Sequence, residues 1–318
     1  MKKQQYQIIK NPDKPKQPSP QRIAICTLAD SLAYPFVRYQ AQTVRRMGYL
    51  NNVFTDYYIM DLGLTNDQVQ RLSNFADILD PEPNMFADLP DTELAKPGNT
   101  KERAAITRSS LQKAIMVKML QGCERLIYLD ADAFFTNCFD THDIFNDSWD
   151  VCLTLKNIFP GPVNVEDDPN KYRFELINCG VQFYQGNKYI DFIEELLTYT
   201  TSNPILSDQG NTNLLLNTCR GLSWMRTGDY TLSCKNSDIV VRLIKCGGNK
   251  PSIKYNYFIN NKTPKVVING RLQLRDAPVI CHAKGLYKRR GEIKTWRDFG
   301  IYMGLGAGIV DGTMDDRR

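Results

Sequence analysis

The run Leu126-Ile127-Tyr128-Leu129, broken abruptly by Asp130-Ala131-Asp132, restricts the fold of this chain more than any other stretch. Consecutive apolar residues with no alternation suit a strand covered on both faces, as in a parallel sheet between layers of helix. The segment before it, Ser109 to Leu120, has helical periodicity, opens on serines and is followed by Gly122, the capping pattern of a helix. Ile23 to Leu28, Val53 to Met60, Val151 to Leu155, Ile177 to Tyr184 and Pro278 to Cys281 also read as strands. Tyr39 to Gly48, the segment opening at Thr65-Asn66-Asp67-Gln68, Tyr189 to Thr200 and Gln209 to Asn217 read as helices, the first closed by Gly48. This alternation points to the α/β class, with a mostly parallel sheet flanked by helices.

The 318 residues would fill about two domains at ~150 residues each, or one large α/β domain with an appendage. A hydrophobic fraction of 42% with 24% charged residues supplies a sizeable core and excludes wholesale disorder, collagen-like repetition and a coiled coil. Forty Lys+Arg against 35 Asp+Glu leave a net charge of +5, enough for an electropositive pocket. No concentrated basic stripe interleaves with aromatics, so no nucleic-acid partner is expected. The nine cysteines are scattered without a CxxC pair, which fits reduced thiols better than a disulfide framework or a zinc ribbon. No apolar stretch approaches the ~18 residues needed to cross a bilayer, and Met1 to Pro20 carries no signal-peptide core. The expectation is a soluble, cytoplasmic protein with at most peripheral membrane contact: a flexible leader over 1–20, one main α/β domain over 21–300 and a tail over 301–318. Asp80 to Thr100 and Asn157 to Lys171, rich in Pro, Asp and Asn, read as long loops, either binding loops or surface decoration.

The chemistry concentrates where the apolar strand ends. Asp130 and Asp132 would stand at the carboxyl edge of the sheet, where α/β proteins bind ligands. Neighbouring carboxylates repel, and a divalent cation such as Mg²⁺ or Mn²⁺ is a suitable counter-charge for hard oxygen ligands. A structural or capping role is the competing reading. Of the two histidines, His142 in Asp140-Thr141-His142-Asp143 reads as a surface or capping residue. His282 ends a strand and opens His282-Ala283-Lys284-Gly285, either as a satisfied structural residue or as part of a diphosphate cradle beside a metal.

Several blocks then occur in a fixed order. They are Thr27-Leu28 with Ala33-Tyr34, the helix carrying Lys113, Tyr128-Leu129-Asp130-Ala131-Asp132, Asn178-Cys179-Gly180-Val181, Ser207-Asp208-Gln209-Gly210 with Asn217, and His282-x-x-Gly285-x-x-Lys288. From about Ile23 to Trp296 the sequence resembles the family-8 glycosyltransferases, the group that includes glycogenin and bacterial lipopolysaccharide glycosyltransferases. The resemblance implies a GT-A fold, a Rossmann-like sheet with acceptor-side insertions. It also implies a metal-dependent transferase of hexosyl or pentosyl groups, acting with retention of configuration. The donor would be a nucleotide sugar, UDP-sugar foremost, and the acceptor a glycan, a lipid-linked sugar or a protein. By the same resemblance, Asp130, Asp132 and His282 hold Mn²⁺ or Mg²⁺. Thr27, Leu28, Tyr34, Ala131, Gly285 and Lys288 contact the nucleotide diphosphate, with Tyr34 stacked on the base. Lys113, Asn178, Asp208 and Gln209 grip the sugar, Asp208 nearest the anomeric carbon, and no enzyme nucleophile is assigned.

Departures from the family pattern lie at Cys179, where a small hydroxyl residue is usual, and after Lys288, where Arg289-Arg290 replace Pro-Trp. The cluster Lys284, Lys288, Arg289, Arg290, Lys294 and Arg297 reads either as a solvated face or as a seat for an anionic acceptor or headgroup. An inverting GT-A enzyme of another family and a non-catalytic sugar-nucleotide binder remain alternatives. A phosphatase of the haloacid-dehalogenase type also uses Asp-x-Asp after a strand, but there a Thr or Val usually follows, where this chain has Ala133.

Overall fold

The computed structural model describes residues 22–51, 55–81, 111–137, 141–145, 148–156, 177–202, 208–218, 227–247, 253–259, 265–268, 271–274 and 278–283. The leader, the tail, both long loops and the basic cluster from Lys284 to Arg297 lie outside these residues, apart from Asp80 and Pro81 at the edge of the first loop. In chain order the first elements are β1 (Ile23–Ala29), α1 (Tyr34–Asn51), β2 (Thr55–Asp61), α2 (Asn66–Leu72), β3 (Asp77–Leu79), α3 (111–119), β4 (Arg125–Leu129), β5 (Ala133–Phe135) and α4 (Thr141–Ile144). There follow β6 (Val151–Lys156), β7 (Ile177–Gln185), α5 (Tyr189–Ser202), α6 (Asp208–Thr218), β8 (Gly228–Ser233), β9 (Asp238–Cys246), β10 (Tyr257–Phe258), β11 (Lys265–Ile268), β12 (Arg271–Leu274) and β13 (Ile280–His282).

The chain divides into two compact units, the first drawn from Met1–Asp80, Leu129–Thr141 and Cys246–Arg318, the second from Pro81–Tyr128 and His142–Lys245. The fold is the α/β class expected, mostly parallel sheet with flanking helices; in the first unit three strands run in the order β3-β2-β1, and in the second five run in the order β4-β7-β6-β9-β8.

In the first unit β1 pairs in parallel with β2, Ile23 opposite Thr55 through Ala29 opposite Asp61, and β2 pairs in parallel with β3. Every residue of β1 is buried, as a strand covered on both faces requires. The buried side of α1 carries Phe36, Val37, Gln40, Ala41, Val44 and Met47, the wide stripe of a core-facing helix. This helix begins five residues before the expected Tyr39, at Tyr34, and runs through Gly48 to Asn51. Pro35 is tolerated because the first turn needs no N–H donor, and Asp30 Oδ1 accepts the Ala33 N–H at 2.7 Å just ahead of it. An interior glycine costs only about 1 kcal/mol, so Gly48 does not end a helix already held by its apolar face. Thr65 caps α2 as expected, in a capping box with Gln68. A separate sheet in this unit has the order β10-β13-β5.

In the second unit β7 is buried along its whole length and pairs antiparallel with β6, with a register shift between Leu153 and Thr154. The antiparallel pair β8–β9 had no counterpart in the sequence reading. In β9, Ile239, Val241 and Leu243 point inward at a period of two, the signal that could have revealed it. Helix α5 buries Tyr189, Phe192, Ile193, Leu196, Leu197 and Thr200 at helical spacing.

Candidate functional site

Two groups of predicted site residues are placed by the structure, one in each unit. The first unit takes up the chain again at Leu129, where β4 ends, and a tight turn, with the Ala133 N–H donating to the Asp130 carbonyl at 2.9 Å, carries it through Asp130-Ala131-Asp132 into β5. Strand β5 pairs antiparallel with β13, setting Ala133 opposite His282, and the Ala283 N–H extends the ladder to the Asp132 carbonyl at 2.9 Å. This register brings together residues about 150 positions apart in sequence, because a side chain one step from a paired residue stays within reach of its neighbour across the strands. His282 Nε2 lies 3.1 Å from Asp132 Oδ1 and 4.0 Å from Asp130 Oδ2. One ligand atom from each of the three residues falls within 4.8 Å of the others.

The donor set fits a small divalent cation. Bonds of about 2.1 Å in an octahedron place neighbouring ligand atoms about 3 Å apart and opposite ones about 4.2 Å apart. The two distances from His282 Nε2, 3.1 and 4.0 Å, fall in that range, and the three ligand atoms together lie within 4.8 Å of one another. His282 is 4% exposed and Asp132 8%, so the cation's inner side would be dry, while Asp130 is half-exposed.

Gln40 was missed by sequence reasoning and holds the acidic turn from α1. Its buried side-chain amide donates to the Asp130 carbonyl at 2.8 Å and to the Ala133 carbonyl, so one side chain ties both ends of the turn. Its own carbonyl accepts the Tyr57 hydroxyl at 2.6 Å. Burial pushes that hydroxyl well above the ordinary phenol value, so Tyr57 stays a donor. Asn256 was also missed; its side-chain oxygen meets His282 Nδ1 at 3.0 Å. Partners this far apart in sequence leave no local signal.

The expected nucleotide loop lies in the same unit. Thr27 is fully buried in β1, Leu28 follows it nearly buried, and Tyr34 opens α1. The hydroxyls of Thr27 and Tyr34 are buried and have no hydrogen-bond partner among the described residues. At the same sheet edge, Asp61 Oδ1 accepts the N–H groups of Gly63 and Leu64 at 2.8 and 2.6 Å, and the Ser31 N–H donates to the Gly63 carbonyl at 3.1 Å. Gly63 has φ +122°, a conformation that needs glycine.

In the second unit, Lys113 Nζ sits 2.5 Å from Asp208 Oδ2, donates to the Cys179 carbonyl at 3.0 Å and stands 4.5 Å from the centre of the Tyr128 ring. Asp208 opens α6 and Gln209 follows it, its side-chain oxygen accepting Lys156 Nζ at 2.9 Å. Asn178 is buried within β7, where its side-chain oxygen accepts the Gly180 N–H at 3.3 Å. Gly285 and Lys288 lie outside the described residues, and His142 lies in α4. Seven cysteines are described, and all are free thiols.

No known family profile matches the sequence. No curated protein matches it either. Solved structures do resemble it. The chain is similar to the WbbM bifunctional glycosyltransferase at 10% identity and a TM-score of 0.50, covering 84% of this chain and 46% of that one, less than half of WbbM's length. An active-site mutant of LgtC aligns at 14% identity over 82% of this chain and 87% of its own, with a TM-score of 0.44. A glycosyltransferase involved in glycosylation of the major capsid of PBCV-1 aligns at 12% identity over 86% of this chain and 98% of its own, with a TM-score of 0.43. The comparison of folds rests on WbbM, and at this identity it concerns the fold alone: the chain has the α/β fold of a solved glycosyltransferase.

Proposed function

We propose that this protein transfers a sugar from a nucleotide-diphosphate donor, UDP-sugar foremost, to a hydroxyl acceptor, with a divalent cation held by Asp130, Asp132 and His282. The observation that carries the reading is the convergence of these three side chains within 4.8 Å at the end of a buried strand. The glycosyltransferase fold of WbbM and the ordered family-8 blocks in the sequence support it. The hydroxyls of Thr27 and Tyr34, buried and with no hydrogen-bond partner among the described residues, suit a polar ligand at the carboxyl edge of β1.

In the reaction, the bond from the anomeric carbon to the diphosphate oxygen breaks, a bond to the acceptor oxygen forms, and the acceptor's proton leaves with the departing nucleoside diphosphate. A bound cation would supply Lewis-acid stabilisation of the charge growing on that diphosphate. Asp130 and Asp132 present the carboxylates, and His282 adds a neutral nitrogen that keeps the centre from becoming over-anionic. Lys113 holds the Asp208 carboxylate in one orientation, which suits Asp208 to positioning sugar hydroxyls, with Gln209 beside it. Retention of configuration follows the family resemblance, and measurement of product stereochemistry tests it.

The direct test is hydrolysis of UDP-, GDP- and CMP-sugars with Mn²⁺, followed by thermal melts with UDP. Release of sugar from one donor class is expected, together with stabilisation by UDP only when Mn²⁺ is present. The variants Asp132→Ala and His282→Ala should lose both responses. Equal stabilisation by UDP in EDTA, or full hydrolysis by either variant, would overturn the reading.

A further inference from the structure

We infer that Asn256 is a positioning residue of the metal centre: its side-chain oxygen accepts the Nδ1–H of His282, fixing the ring tautomer that leaves Nε2 unprotonated for a divalent cation. The inference rests on the metal reading above and concerns how the protein prepares its imidazole ligand.

A neutral imidazole carries one N–H, and the partner of one nitrogen decides the state of the other. His282 Nδ1 meets the Asn256 side-chain oxygen at 3.0 Å, and its Nε2 faces Asp132 and Asp130. The ring plane is set as well, because Phe258 packs edge-to-face on the imidazole at 5.7 Å and 83°. Phe258 lies in β10, which pairs in parallel with β13 and sets Phe258 opposite His282. Asn256 directly precedes β10, so the strand that orients the ring also delivers the acceptor.

The backbone of Asn256 gives the second, independent observation. It has φ 60°, and among the described residues no other non-glycine has a positive φ. The residue is fully buried, and its carbonyl accepts the Gly247 N–H at 3.3 Å. Glycine would meet this backbone with least strain, and of the larger residues asparagine and aspartate tolerate it best. A left-handed, buried asparagine whose amide ends on a candidate ligand matches the pattern of strain retained where a side chain must be aimed. Hydrogen bonding of a ligand's second nitrogen also makes the first a better donor to metal.

The experiment compares the full chain with Asn256→Gly, which keeps the left-handed backbone but removes the acceptor, and with Asn256→Asp, which keeps both. Mn²⁺ affinity is read by electron paramagnetic resonance of the free ion. The His282 tautomer is read by ¹⁵N NMR in Mg²⁺; the chain has two histidines, and His142→Gln assigns them. The parent should show protonated Nδ1 and bare Nε2. Asn256→Gly should bind Mn²⁺ about 10- to 100-fold more weakly and lose the single tautomer, and Asn256→Asp should restore both. Unchanged affinity and tautomer in Asn256→Gly would overturn the inference while leaving the metal centre standing. A parent chain that takes up no Mn²⁺ would overturn both. Should Asn256→Gly fail to fold, protonated Nε2 in the Mg²⁺-loaded parent refutes the inference by itself.

Discussion

Replacing Gln40 by leucine should loosen the acidic turn and destabilise the first unit by an amount that can be worked out bond by bond. The Tyr57 hydroxyl, donating to Gln40 at 2.6 Å, would be left buried and unpaired, at about 1–3 kcal/mol. The Ala133 carbonyl, also buried, loses its side-chain donor, and the Asp130 carbonyl loses one at a half-exposed residue where water can replace it. Together these add about 1–2 kcal/mol, for a total of roughly 2–5 kcal/mol. Tyr57→Phe leaves the Gln40 oxygen unpaired and should cost about 1–3 kcal/mol. The double variant should cost less than the sum, because both single changes break the same bond. A coupling of about 1–2 kcal/mol is expected from urea unfolding of the four proteins. Mn²⁺ affinity should fall in Gln40→Leu, where the turn loses both ties, and far less in Tyr57→Phe, where the amide still reaches both carbonyls. Additivity within about 0.3 kcal/mol, or equal Mn²⁺ affinity in Gln40→Leu and the parent, would refute the assignment of Gln40 as the clamp on this turn.

Two further perturbations probe the second unit. Lys113→Met should destabilise by about 3–5 kcal/mol in urea, since it removes one partner of an ion pair whose side chains are only 10% and 15% exposed. Adding Asp208→Leu should recover much of that loss, and an undisturbed single variant would contradict the pairing. Asp229 receives two hydrogen bonds from Arg242, each of 2.7 Å, and these hold its carboxyl below the ordinary value against a smaller opposing effect of burial. Because the folded value is depressed, the pair's contribution is complete above about pH 4 and disappears as pH falls through the folded value. The Asp229 side chain is 42% exposed, so that contribution should stay below about 1 kcal/mol. The stability difference between the parent and Asp229→Asn should therefore shrink as pH falls below about 4; a constant difference would contradict the ion pair.

What could be read in advance follows from where each signal resides. Leu126 to Leu129 announced a buried strand because continuous apolarity is a local property, and the turn after it placed Asp130 and Asp132 at a sheet edge. The helix start at Thr65 was legible for the same reason, though not the box it forms with Gln68. The start of α1 at Tyr34 was missed because Pro35 reads as a breaker unless it is known to occupy a first turn. Pairing of His282 with Ala133 is a matter of register between distant segments, and only the ordered family blocks suggested that Asp130, Asp132 and His282 meet. Gln40 and Asn256 carried no signal: an amide on a helix and one beside tyrosines look ordinary until the chain closes around them. The separate strands β10 to β12 are short, and β10 has only two residues, too few for any periodicity.

The central claim is that Asp130, Asp132 and His282 share one cation, and the distance of 3.1 Å between His282 Nε2 and Asp132 would equally suit a direct hydrogen bond with no ion. Pulsed electron paramagnetic resonance of Mn²⁺ added to the protein separates the two. A directly coordinated imidazole imposes a ¹⁴N modulation on the Mn²⁺ echo, and the parent should show it while His282→Ala, at Mn²⁺ concentrations that still give bound ion, should not. Bound Mn²⁺ without nitrogen modulation in the parent, or the same modulation in His282→Ala, would contradict the account.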